Sequence, residues 1–173
     1  MADKIETLLD TKRFQVVKHS VVRSDGQTAS VSYVIHPGSV AILPLVDDDH
    51  LCLIRNRRLT VGQTIIEVPA GTREPGEPPL ESARRELEEE TGYRAAKWEE
   101  LVAYYASPGI LSERMYVFVA RELTAGEPHR EANEEIENLV VSWDEALAMI
   151  DRGEIVDGKT IVAMLLYDRR RRS

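Results

Sequence analysis

Two stretches near the start of the chain, 14–23 (FQVVKHSVVR) and 28–36 (TASVSYVIH), are rich in β-branched residues and flank Ser24-Asp25-Gly26-Gln27. Turn chemistry between two such runs predicts a β-hairpin. Residues 39–46 (SVAILPLV) and 51–54 (LCLI) predict two more strands around a turn at Asp47-Asp48-Asp49, and 64–68 (TIIEV) a short strand stopped by Pro69. Pro78 and Pro79 suit the first turn of a helix, where a missing N–H costs nothing. Behind them Leu80, Ala83 and Leu87 recur at helical spacing as one buried stripe, and Gly92 offers a left-handed stop, so 78–91 reads as a helix. Strands return at 98–105, 115–121 and 137–141. Ser142 with Glu145 three residues on makes a capping-box pattern that opens a second helix, which Gly153 ends. A final helix is expected from about Thr160, as its N-cap, to about Arg170. Strands in hairpin-like succession with three helices favour an α+β fold over a doubly wound parallel sheet.

Composition narrows the function classes. At 173 residues, 43% hydrophobic and 30% charged, the chain has the make-up of one globular domain. Its formal net charge of −8 argues against a protein that grips nucleic-acid backbones. No apolar run approaches the ~18 residues that a membrane helix needs, and the charged N-terminus does not read as a signal peptide. One cysteine, Cys52, rules out an internal disulfide framework and points to a reducing cytoplasm. The acidity is concentrated. Residues 73–90 hold seven carboxylates against three arginines, and 131–137 (EANEEIE) holds four glutamates and no basic residue.

The segment 70–93, AGTREPGEPPLESARRELEEETGY, carries the chemistry. Glu86, Glu89 and Glu90 stand at i, i+3 and i+4 and crowd one side of the expected helix. Like charges at that spacing each cost about a few tenths of a kcal/mol. A hard divalent cation among them removes the cost, and Mg²⁺ in particular takes oxygen ligands and shares itself with substrate phosphates. Arg85 can hold a neighbouring carboxylate by a bidentate contact. A Glu-rich run alone most often marks a solvated face. The surrounding spacing reverses that reading.

Gly71, Glu77, Arg85-Glu86-Leu87, Glu89-Glu90 and Gly92-Tyr93 fit Gly-x5-Glu-x7-Arg-Glu-apolar-x-Glu-Glu-x-Gly-apolar without a gap. This resembles the Nudix signature at every specified position. The resemblance implies a Nudix-type α/β/α sandwich around a mixed sheet, and a hydrolase that cuts a nucleoside diphosphate linked to another moiety with Mg²⁺ or Mn²⁺. It implies Glu86 and Glu90 as principal metal ligands, with Glu89 close by and the Ala70 carbonyl as a further ligand. Glu77 and Arg85 would be orienting residues.

Further features resemble the ADP-ribose pyrophosphatase branch. Glu67-Val68-Pro69-Ala70-Gly71 is similar to its E-x-P-A-G approach to the signature, and Pro108 follows Tyr93 by fifteen positions. Residues 107–113 (SPGILSE) look like its substrate-side loop. The branch implies substrate contacts from Arg58, Glu67, Pro108, Gly109 and Glu113. It implies a general base from the acidic segment 131–137, on Glu134 with Glu135 as the alternative. It also implies an N-terminal antiparallel hairpin extension (1–38) that forms a homodimer, ahead of a Nudix domain (39–173). The expected reaction converts ADP-ribose and water to AMP and ribose 5-phosphate. The alternatives are another substrate such as GDP-mannose, ADP-glucose or NADH, or a Nudix-fold binding module without catalysis. The complete set Glu77, Arg85, Glu86, Glu89 and Glu90 weighs against the last.

Other features read as structural. Residues 153–160 (GEIVDGKT) match the phosphate-loop pattern G-x4-G-K-[ST], but they follow a helix rather than a strand and carry Glu154 and Asp157. The four histidines lack metal-ligand spacing. Cys52 alternates with apolar neighbours as a core residue would, and of Tyr104 and Tyr105 one must face inward. The run Arg169–Arg172 suits a helix C-terminus followed by solvent.

Overall fold

The computed structural model describes residues 4–130 and 135–172. Three strands come first: β1 (Lys4–Asp10), β2 (Gln15–Val22) and β3 (Thr28–Ile35), which form a separate antiparallel sheet in that order. The expected hairpin is β2–β3. Its partner β1 escaped the sequence reading because its charges interrupt the alternation, and every residue of β1 is exposed.

The rest of the chain contains β4 (Ser39–Pro44), β5 (His50–Arg58), β6 (Gln63–Glu67), β7 (Ala70–Thr72), α1 (Pro79–Thr91), β8 (Arg94–Tyr105), β9 (Arg114–Thr124), β10 (Ile136–Ser142), α2 (Trp143–Asp151) and α3 (Gly158–Arg171). One sheet has the order β7-β4-β9-β8, in which β4 and β9 run parallel and the other pairs antiparallel. The other has the order β10-β5-β6 and is antiparallel throughout. Despite the Asp47–Asp49 turn between them, β4 and β5 belong to different sheets, which the bridge Leu45–Leu51 links.

Strand alternation assigns the layers. Val40, Ile42, Phe118 and Ala120 face α1 and meet Ala83 and Leu87, which are fully buried. Ala41, Leu43, Val117 and Val119 face the other way, into the main core with Leu51, Leu53, Trp143, Met149 and Met164. Helix α1 therefore covers one face of the mixed sheet, with α2, α3 and the β10-β5-β6 sheet on the other side, as the expected sandwich requires. Fully burying a side chain such as Leu87 contributes roughly 2 kcal/mol.

Helix boundaries follow local chemistry. Ser142 caps α2, its Oγ accepting from the Glu145 N–H at 3.2 Å. The N-cap of α3 is Asp157 rather than the expected Thr160. Asp157 Oδ2 accepts from both the N–H and the hydroxyl of Thr160, and that hydroxyl in turn accepts from the Val68 N–H. The basic tail is also used internally, beyond the dipole and solvation expected of it. Arg170 bonds Glu99 and the Leu101 carbonyl, Arg171 stacks over Trp143 with 5.1 Å to the ring centroid, and Arg172 pairs with Asp168. Among the described residues no helix is long and apolar enough to cross a membrane.

Candidate active site

Helix α1 presents its glutamates to the strand that precedes it. Glu90 is 3% exposed and Glu86 9%, so neither belongs to a solvated face. Glu90 Oε2 accepts from the Ala70 N–H at 2.8 Å. Glu86 packs on Gly71 so closely that a Cβ on Gly71 would lie 1.9 Å from the Glu86 carboxyl carbon. A side chain there would push the Glu86 carboxylate aside, which gives the first glycine of the signature a steric reason. Glu89, with its side chain 41% exposed, stands at the open edge of the same turn.

Arg85 binds the group together. Its Nε and Nη2 each reach a Glu77 oxygen at 3.2 Å, and its Nη1 donates to Glu86 at 2.7 Å and to Glu89 at 3.0 Å. The hydrogen bonds from Arg85 hold the Glu77 carboxyl down at about 2. Partial burial opposes the Arg85 charge, but Glu77 and Glu86 outweigh it and hold the guanidinium protonated. Glu77 also accepts from the Glu74 N–H, and its own carbonyl accepts from Arg73, which fixes the loop ahead of the helix.

Ala70, Gly71 and Thr72 form one wall of a cavity of about 500 Å³. Arg58, Lys159, Asp157, Tyr104, His36, Ser39, Glu113 and Met115 also line it. Beneath Arg58 lies Glu67, fully buried. Arg58 donates to its Oε1 from Nε at 2.8 Å and pairs with it through Nη2 at 2.7 Å, while Lys159 binds Oε2. Lys159 also contacts Asp157 Oδ1 at 3.0 Å. Ser39 donates its hydroxyl to Glu113 at 2.5 Å. The Gly38 N–H donates to His36 Nδ1, so a neutral His36 ring carries its proton on Nε2. Burial, then the nearby Asp157 and Glu113 carboxylates, push the Tyr104 hydroxyl up to about 12, so it stays a neutral donor.

The fold thus brings together Arg58, Glu67, Ala70 and Glu113 around one cavity, with Glu86 and Glu90 packed directly behind its Ala70–Gly71 wall. Pro108 and Gly109 sit on an exposed loop and are not among the cavity's lining residues. Glu134 lies outside the described residues; Glu135 is exposed, and its carbonyl accepts from the Arg57 N–H. Sequence reasoning missed Lys159. Its only signal was the phosphate-loop pattern, which is not a phosphate loop but does deliver its lysine to the cavity.

The donor set suits a divalent cation. Among the described residues no three His, Cys, Asp or Glu side chains form a ready-made cage. Two buried carboxylates and a partly open third, beside a cavity, match an ion that completes its shell with water and substrate phosphate oxygens. A NUDIX domain profile matches residues 35–163. The chain belongs to the Nudix family. The ADP-ribose pyrophosphatase of Bacillus subtilis (strain 168) is 37% identical over 161 residues, covering 92% of this chain and 87% of that one. A methanol dehydrogenase activator of Bacillus methanolicus is 32% identical, covering 93% and 88%. A GDP-mannose pyrophosphatase of Shigella flexneri serotype 5b is 30% identical, covering 86% and 83%. A crystal structure of an ADP compounds hydrolase shares the fold with a TM-score of 0.83 at 24% identity, covering 96% of this chain and 90% of that one.

Proposed function

We propose that this Nudix protein is a pyrophosphatase that hydrolyses ADP-ribose to AMP and ribose 5-phosphate with Mg²⁺. The observation that carries the reading is the pair Glu86 and Glu90, buried against Gly71 and Ala70 at the wall of a cavity large enough for a nucleotide sugar. Glu86 and Glu90, with Glu89 and the Ala70 carbonyl, would hold the metal, which would supply positive charge against the diphosphate that otherwise repels an attacking water. Arg85 holds Glu86 and Glu89 in place, and Glu77 holds Arg85. Glu134 accepts the proton of the attacking water, with Glu135 as the alternative. Arg58, positioned by the buried Glu67 beneath it, and Glu113, with the loop of Pro108 and Gly109, hold the nucleotide and sugar portions.

A relative named as an ADP-ribose pyrophosphatase, aligned over nearly the whole chain, supports this substrate. A relative named as a GDP-mannose pyrophosphatase supports GDP-mannose as the second reading. Residues 1–38 act as the dimerisation extension: Ile5, Leu8, Leu9 and Val31 are each at least half exposed on the N-terminal sheet, an apolar surface that a second copy would cover. A single cysteine, Cys52, suits a reducing cytoplasm.

The test is a hydrolysis panel of ADP-ribose, GDP-mannose, ADP-glucose and NADH with Mg²⁺ or Mn²⁺, repeated with Glu90→Gln and Glu134→Gln. Turnover is expected to be greatest with ADP-ribose and lost in both variants. A preference for GDP-mannose would replace the substrate, full activity in both variants would overturn the roles, and no turnover at all would favour a binding module. Light scattering is expected to give a dimer mass; a monomer would remove the role of residues 1–38.

A further inference from the structure

One row of paired residues crosses the mixed sheet along the cavity. Thr72 of β7 pairs with Ser39 of β4, Ser39 with Met115 of β9, and Met115 with Tyr104 of β8. Residues paired directly across strands point to the same face of a sheet, and all four line the cavity. Thr72 follows the Ala70–Gly71 wall, so the row starts beside the candidate metal site. Three strand spacings, roughly 14 Å, carry it to Tyr104 at the other end.

That end has its own chemistry. The Tyr104 ring packs against the main core, while its neighbour Tyr105 is 58% exposed. Among the described residues the Tyr104 hydroxyl has no hydrogen-bond partner, and its oxygen is not a buried atom, so it opens into the cavity that the residue lines. Burial and the nearby Asp157 and Glu113 carboxylates keep it neutral, with a proton to donate. Glu113 stands two residues before Met115 and lines the same cavity. Its Oε1 accepts from Ser39 Oγ at 2.5 Å, and its Oε2 has no partner among the described residues. The cations of the cavity are committed elsewhere, Lys159 to Glu67 and Asp157 and Arg58 to Glu67. An open donor and an open acceptor therefore line one cavity at the end away from the metal site.

A hydroxyl group both donates and accepts hydrogen bonds, so it can satisfy this pair. A phosphate near neutral pH only accepts, and its negative charge is repelled by Glu113. We infer that the Tyr104 hydroxyl and Glu113 Oε2 form a subsite for a sugar hydroxyl, with Tyr104 a substrate-binding residue outside the signature. The inference rests on the proposed substrate, ADP-ribose, which carries a ribose on each side of its diphosphate. A site built to hydrogen-bond a hydroxyl discriminates strongly against a partner that lacks it.

The test compares wild type with Tyr104→Phe, Glu113→Gln and the double variant. Tyr104→Phe keeps the ring and removes a hydroxyl that has no protein partner, so its thermal midpoint should not fall. With Mg²⁺, KM for ADP-ribose should rise about three- to tenfold and kcat should stay within about twofold, the mark of lost binding rather than lost chemistry. Titration calorimetry with AMP and with ribose 5-phosphate distinguishes the two riboses: the fragment that fills the subsite should lose affinity by the same factor, and the other by none. If one hydroxyl takes both groups, the KM factors of the two single variants should combine to less than their product. An unchanged KM in Tyr104→Phe, an equal loss for both fragments, or independent factors in the double variant would overturn the subsite. If wild type hydrolyses ADP-ribose and Tyr104→Phe matches it, only the subsite fails. If wild type hydrolyses no diphosphate, the proposed function fails and the fragment titrations decide alone: a loss confined to one fragment keeps the subsite, and the absence of such a loss overturns it.

Discussion

Gly71 and Glu86 are in van der Waals contact, with no space for even a methyl group between them: a Cβ on Gly71 would fall 1.9 Å from the carboxyl carbon. The contact joins strand β7 to helix α1 and sets where the Glu86 carboxylate stands. Gly71→Ala should therefore displace Glu86 and lower kcat about a hundredfold, while far-ultraviolet circular dichroism remains that of the wild type. A Gly71→Ala protein with normal kcat would show that Glu86 tolerates the shift and does not depend on this contact.

Glu90 is fixed differently, by the Ala70 N–H. Glu90→Gln still offers that N–H an oxygen but removes the charge. Mn²⁺ affinity should drop at least about tenfold, with a thermal midpoint close to wild type. A larger loss of stability than of metal affinity would make Glu90 a packing residue.

Glu77 titrates with the fold. Its carboxyl is held at about 2 by Arg85, below the ordinary value of 4.5. Such a group contributes stability that is fully present above its unfolded pKa and is lost as pH falls through its folded value. Glu77→Gln should accordingly be less stable than wild type near pH 7, and the difference should shrink toward zero as pH falls from about 4.5 to about 2. Urea denaturation across that range measures it; a pH-independent difference would assign the loss to packing.

Lys159 and Arg58 divide the two oxygens of buried Glu67. Lys159→Met leaves one oxygen without its cation and should cost about 2 kcal/mol in urea denaturation. Glu67→Gln/Lys159→Met removes the charge as well as its partner and should recover more than half of that loss. No recovery would show that Lys159 stabilises α3 independently of Glu67.

Much of the fold was legible because the strands follow local rules. The Ser24–Gln27 turn, the stripe of Ala83 and Leu87, the Ser142 cap and the Gly92 stop all appear where neighbours in sequence require them. Strand β7 was missed because three residues with Gly71 at the centre carry no pattern. The sheet change between β4 and β5 was missed because a tight acidic turn ordinarily joins paired strands, and here the long-range parallel pairing of β4 with β9 takes precedence. Asp157 displaced Thr160 as the cap because its side chain reaches the Thr160 N–H, freeing the threonine hydroxyl to accept from Val68.

By itself the sequence determined the family, the helix that carries Glu86, Glu89 and Glu90, and the pairing of Arg85 with its glutamates. All are separated by a few residues on one helix or its approach, where spacing alone dictates position. Only the tertiary structure decided that two of the three glutamates are buried, that Lys159 joins Arg58 on Glu67, and that Arg130 and Asn138 take the Glu90 and Thr91 carbonyls at the end of α1. Those contacts join groups up to 92 residues apart. They depend on which strands pair and which carbonyls are left without partners, and neither is written in local pattern.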